Sequence, residues 1–231
     1  IKQYKANHDK SYRDALMLGA QSFPKNRDEV TGLHLAVYHP VAIAQLLLSQ
    51  DPTLINVRTN VCSTPLVYAI RRRGKAIDVC KFLLSRKNID LTQEQWLLLV
   101  RFPDESCSAL FEACLHGPLE MVKLLVDYHK KHRIVDLNSD YVLCRAAIRG
   151  CNTDIVKFLL DFACLEPDHI FQLIKHACRG FMSEILELLF ERFSDHISDV
   201  PADVSFAWFN LACEAERTDN AKVLLQKFAI D

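Results

Sequence analysis

Thr31-Gly-Leu-His-Leu-Ala36 recurs along this 231-residue chain as Thr64-Pro-Leu-Val-Tyr-Ala69 and Ser108-Ala-Leu-Phe-Glu-Ala113. Weaker copies stand at Tyr141-Val-Leu-Cys-Arg-Ala146, Phe171-Gln-Leu-Ile-Lys-His176 and Ala207-Trp-Phe-Asn-Leu-Ala212. The first residues of the copies, at 31, 64, 108, 141, 171 and 207, serve as anchors spaced 33, 44, 33, 30 and 36 residues apart. Two past the anchor stand Leu33, Leu66, Leu110, Leu143, Leu173 and Phe209; five past it stand Ala36, Ala69, Ala113, Ala146, His176 and Ala212. Gly117, Gly150 and Gly180 align nine past it, with Gly74 one residue later. Self-similarity at such a period marks an array of stacked supersecondary units.

Each slot has a physical reading. A large aliphatic residue followed three later by alanine gives one helix a bulky contact and a place where a neighbour approaches closely. Glycine is expected to take the positive φ that ends this helix and allows a tight reversal. A second apolar run follows every copy, as in Leu46-Leu-Leu48, Phe82-Leu-Leu84, Phe158-Leu-Leu160 and Lys222-Val-Leu-Leu225. The stretch Leu119-Glu-Met-Val-Lys-Leu-Leu125 has helical periodicity and supplies an antiparallel partner. Such a helix pair cannot bury its apolar face alone and must stack on the next. The expected fold is all-α, a solenoid of stacked helix-turn-helix units.

The pattern resembles the ankyrin repeat family, whose unit of about 33 residues opens Thr-Pro-Leu-His-x-Ala. The resemblance runs over residues 29 to 230 and is most specific at Thr64-Pro65-Leu66 and from Ala109 to Leu125. Only His34 keeps the family histidine, and His176 stands where alanine is usual. The expected organisation is an N-terminal capping helix region at 1–28, containing Tyr12-Arg-Asp-Ala-Leu-Met-Leu18, then the array at 29–231. The long step leaves an insertion near 86–106, where Thr92-x-x-Gln95 reads as a capping box and Trp96-Leu-Leu-Leu-Val100 as an extra helix. A smaller insertion is expected from Ser194 to Val204.

Half the residues are hydrophobic, and 28 basic side chains face 29 acidic ones for a net charge of −1. Disorder needs fewer apolar residues and more net charge. No apolar run reaches the roughly 18 residues of a membrane helix. Six glycines and eight prolines favour helices over a turn-rich β architecture. The nine cysteines include no Cys-x-x-Cys, which argues against a disulfide framework or a zinc knuckle. Reduced, buried thiols are expected, with Cys114 and Cys213 in a small apolar slot filled elsewhere by Val37, Ile70, Ala147 and Ala177. The chain opens on Ile1 rather than Met, so a piece of a longer cytoplasmic protein is expected.

Catalytic patterns are missing: there is no His-Glu-x-x-His, Walker loop, Gly-x-Gly-x-x-Gly or Gly-x-Ser-x-Gly. His129-Lys-Lys-His132 offers two nitrogens on one helix face but no third metal ligand, and reads as a solvated helix end. No catalytic residue, metal or cofactor is expected.

The remaining signal is a basic row. Eight past the anchors stand His39, Arg72, His116, Arg149 and Arg179, with Arg71 and Arg73 flanking the second and Tyr38 beside the first. Helix C-termini favour cations for their own stability. The ankyrin resemblance also implies that this end of the first helix lines a concave groove with the hairpin tips. Tyr38, His39, Arg71, Arg72, Arg73, His116, Arg149 and Arg179 are therefore the candidate partner-binding residues. A basic groove suits an acidic peptide or the acidic face of a partner protein, whereas nucleic-acid binding would need an overall basic excess. The expected function is a non-catalytic protein–protein interaction module or scaffold. The alternative is the targeting domain of a larger enzyme, or of a bacterial effector acting in a host's cytosol or nucleus.

Overall fold

The computed structural model describes residues 30–59, 63–91, 108–132 and 140–228. The expected capping helix at 1–28 and the extra helix at Trp96 lie outside these residues. The described segments are helical, with no strand among them, and the chain divides into two compact units, 1–135 and 136–231.

The described residues of unit one contain three short first helices, α1 (Gly32–Ala36), α3 (Pro65–Ile70) and α5 (Ala109–His116), each followed by a second, α2 (Val41–Gln50), α4 (Ile77–Leu84) and α6 (Leu119–His132). Two of the anchors work as N-caps. Thr64 Oγ1 accepts the Val67 N–H at 3.4 Å and Ser108 Oγ accepts that of Phe111 at 3.1 Å, satisfying donors that the first helical turn leaves open. Pro65 fills the first position of α3, where no amide hydrogen is needed. The neighbouring first helices pack α1 on α3 and α3 on α5, and α2 packs on α4. Ala36, Ala69 and Ala113 are at most 1% exposed at those contacts, beside the buried Leu33, Leu66 and Leu110. After α2 a 3-10 turn (Pro52–Asn56) brings Asn56 against the next hairpin. Its side chain donates to the Asn88 carbonyl at 2.7 Å and accepts the Asp90 N–H at 3.0 Å.

Unit two contains α7 (Asp140–Arg149), α8 (Thr153–Leu160), α9 (Pro167–Cys178), α10 (Ser183–Arg192), α11 (Ser194–Ile197), α12 (Ala202–Glu214) and α13 (Thr218–Phe228). First helices α7, α9 and α12 pack in sequence, and second helices α8, α10 and α13 do the same. Here the anchors Tyr141, Phe171 and Ala207 lie within helices, because the first helices begin earlier than in unit one. The last repeat also departs in its core: Trp208 is buried, while Phe209, in the expected leucine slot, is half-buried. Trp208 sits among Phe171, Phe190 and Phe228, with ring centroids 5.9, 6.4 and 5.9 Å away. The aromatic volume replaces the leucine contact of the other repeats.

The glycine expectation needs correction. Among the described glycines only Gly74 has a positive φ, of 85°, and a Cβ there would lie 3.2 Å from Pro118 Cγ. Gly117 closes α5 in extended backbone (φ −83°), and its need is for space, since a Cβ would stand 2.7 Å from the Ala113 oxygen. The left-handed positions fall instead on Arg73, Cys151 and Glu216, at φ 51°, 54° and 57°. A side chain in that region strains against its own carbonyl. Cys151→Gly is expected to stabilise the protein by about 0.5–1 kcal/mol. Thermal unfolding followed by circular dichroism should show a Tm raised by roughly 2 °C; a lowered Tm would contradict the strain.

Candidate protein-binding surface

In unit one the candidate residues separate into two groups. Tyr38 and Arg72 form the first: the Arg72 guanidinium lies 4.3 Å from the Tyr38 ring centroid, and 53% of Tyr38 is exposed. The stacking covers the Arg72 Nε, which is buried without a hydrogen-bond partner. His39, Lys75 and Asp78 are among the residues that line a 360 Å³ cavity with them. Arg73 is exposed beside this pair. The second group is engaged internally. Arg71 donates from Nε and Nη2 to the two carboxylate oxygens of Glu112 at 3.0 and 2.6 Å, and from Nη1 to Ser63 Oγ at 3.0 Å. Glu112 is buried, and His116 Nε2 lies 3.8 Å from its Oε2. Fork geometry of this kind is the strong form of the ion pair. Arg71 and His116 thus serve the stacking of repeats two and three, while Tyr38, Arg72 and Arg73 face outward.

A neutral histidine supports the same unit. Thr31 donates its backbone N–H to His34 Nδ1 at 3.1 Å, so that nitrogen carries no proton, and Nε2–H then donates to the Ser63 carbonyl at 2.9 Å. Burial pushes the His34 pKa down, against the raising effect of its backbone bonds.

In unit two Arg149 and Arg179 are both exposed, at the end of α7 and the C-cap of α9. Arg217 Nε donates to the Arg179 carbonyl at 3.2 Å, and its guanidinium lies 3.7 Å from the ring centroid of Phe181. Phe181, at the hairpin tip, is 73% exposed. Between the two arginine-bearing helices lies His176, whose Nε2 is 3.5 Å from the Tyr141 hydroxyl. Its pKa is lowered first by burial and then by Arg145, Arg149, Arg179 and Lys175. Arg145 and Lys175 were not among the candidates, because they stand at the fourth place after the anchor, where no common residue type recurs.

Several thiols follow the expectation of burial. Cys80, Cys114, Cys144 and Cys178 are buried, and desolvation drives the Cys80, Cys144 and Cys178 pKa up to about 12, far from nucleophilic thiolates. Cys213 does not: it is exposed, like Cys164, since no further described helix covers that face of α12. His129 also departs from the solvated helix end expected of it. It is 8% exposed, and its Nδ1–H donates to the Leu125 carbonyl at 2.7 Å. Among the described residues no three His, Cys, Asp or Glu side chains group to hold a metal, and no helix is long and apolar enough to cross a membrane.

Residues 110–200 match the family model for ankyrin repeats (3 copies). No curated protein is significantly similar to the chain. Residues 110–200 carry ankyrin repeats, and the helix pairs of the described residues are consistent with the helical solenoid of that family.

Proposed function

We propose that this ankyrin-repeat chain is a non-catalytic interaction module that holds a partner protein through the ends of its first helices and its hairpin tips. Ankyrin repeats are generally protein-binding modules, and fold alone leaves the partner to the surface residues. The observation that carries the reading is where the large outward side chains fall. Tyr38 and Phe181 are exposed aromatic groups, each stacked by an arginine, at the turns that follow α1 and α9. Aromatic and arginine side chains together are the usual anchors of protein interfaces. Arg72, Arg73, Arg149 and Arg179 supply charge at the same helix ends.

The test is affinity capture with mass spectrometry, comparing the wild-type chain with an Arg72→Glu, Arg149→Glu, Arg179→Glu variant. The variant is expected to fold, since none of the three is in the core, and to lose partners that the wild type retains. An identical set of captured proteins would defeat the assignment of these residues.

A further inference from the structure

The fourth place after the anchor is filled by Leu35, Tyr68, Glu112, Arg145, Lys175 and Leu211, and its charged members differ between the two units. In unit one it holds Glu112, the buried carboxylate that engages Arg71. In unit two it holds Arg145 and Lys175. Each stands four residues before a member of the basic row, so Arg145 and Arg149 share one face of α7, and Lys175 and Arg179 one face at the end of α9. Because α7 and α9 pack side by side, two like-charged pairs occupy adjoining helices. All four cations act on His176, and the Arg145 guanidinium is 5.7 Å from the ring centroid of Tyr141, whose hydroxyl reaches the same histidine.

We propose that the α7–α9 face of unit two docks an acidic segment of the partner protein, its clustered Asp and Glu carboxylates pairing with Arg145, Arg149, Lys175 and Arg179. This rests on the protein-binding reading above and assigns the acid recognition to one unit. The guanidinium forks match carboxylates bidentately, and the focused positive potential steers an anionic chain to the site. Phe181, two residues past Arg179 and 73% exposed, gives an apolar residue next to the carboxylates a surface to pack on.

The experiment uses the full chain and a fluorescein-labelled oligoglutamate peptide, with binding read by fluorescence anisotropy. Oligoglutamine and an oligouridylate RNA of equal length are run beside it. Oligoglutamate is expected to bind more tightly than either, and Arg149→Glu with Arg179→Glu to weaken it by about tenfold or more. The milder Arg149→Gln, Arg179→Gln variant should fall between, and Lys227→Glu, half the charge change of the double glutamate variant and placed on exposed α13, should stay within about twofold. Tighter binding of the RNA, no binding of oligoglutamate, or equal loss with Lys227→Glu would each overturn the proposal. If oligoglutamate fails while the Arg72, Arg149 and Arg179 variant still loses captured partners, acid recognition falls and the interaction module stands.

Discussion

Replacing Arg71 by alanine is expected to destabilise the protein by about 2–3 kcal/mol, whereas Arg73→Ala, two residues on, stays within about 0.5 kcal/mol. The two arginines share a turn and a charge but not a role. Arg71 holds both carboxylate oxygens of Glu112, whose side chain is 4% exposed, and truncation leaves that charge buried beside a weak His116 contact. Loss of one partner from a fully buried pair costs about 3–5 kcal/mol. The figure is reduced here because the Arg71 side chain is 37% exposed, so water can reach part of the vacated space. Urea unfolding of both variants measures the difference. Arg71→Met with Glu112→Leu should recover most of the loss, because two well-packed apolar groups need no counter-charge. If Arg71→Ala matched Arg73→Ala, the ion pair would not support the stacking of these repeats.

The helix pairs were legible because their determinants are local and repeated. Leucine at one place and alanine three later fix which face is buried, and Leu33, Leu66, Leu110, Leu143 and Leu173 are all buried as that spacing requires. Departures came where a residue answers to one neighbour rather than to the repeat. Glu112 takes its meaning from Arg71, 41 residues away, and the short sequence pattern around it gives no hint of that pairing. Cys151 and Glu216 adopt left-handed backbone without glycine in the turns that close α7 and α12, where the Asn152 and Arg217 amides reach back to the Ala147 and Ala212 carbonyls, and sequence preference does not reveal it. Cys213 follows the slot rule but lies on a face that no described helix covers. The basic row was readable as a row; that Arg71 and His116 are turned to internal use, while Arg145 and Lys175 join the others, depends on contacts between helices.

Asn220 shows the same dependence with a measurable consequence. It is 2% exposed on α13, and its Nδ2 lies 3.0, 2.9 and 3.0 Å from the carbonyls of Ala177, Cys178 and Gly180. Two amide hydrogens are shared among three acceptors at the end of α9, where the last carbonyls have no partner within the helix. Asn220→Leu keeps the branched shape and removes the donors, and is expected to cost about 2–3 kcal/mol by leaving the Cys178 and Gly180 carbonyls without this partner. Asn220→Asp should cost more at neutral pH, since a carboxylate would face those carbonyls at the negative end of the helix dipole. The introduced acid would have a folded-state pKa raised above its unfolded value of about 3.9. Protonation would restore a donor, so this variant should gain stability relative to wild type as pH falls towards 4, while the Asn220→Leu deficit stays nearly constant. Urea unfolding at neutral and acid pH separates the two. Parallel behaviour of both variants would mean that Asn220 fills space at the end of α9 rather than satisfying it.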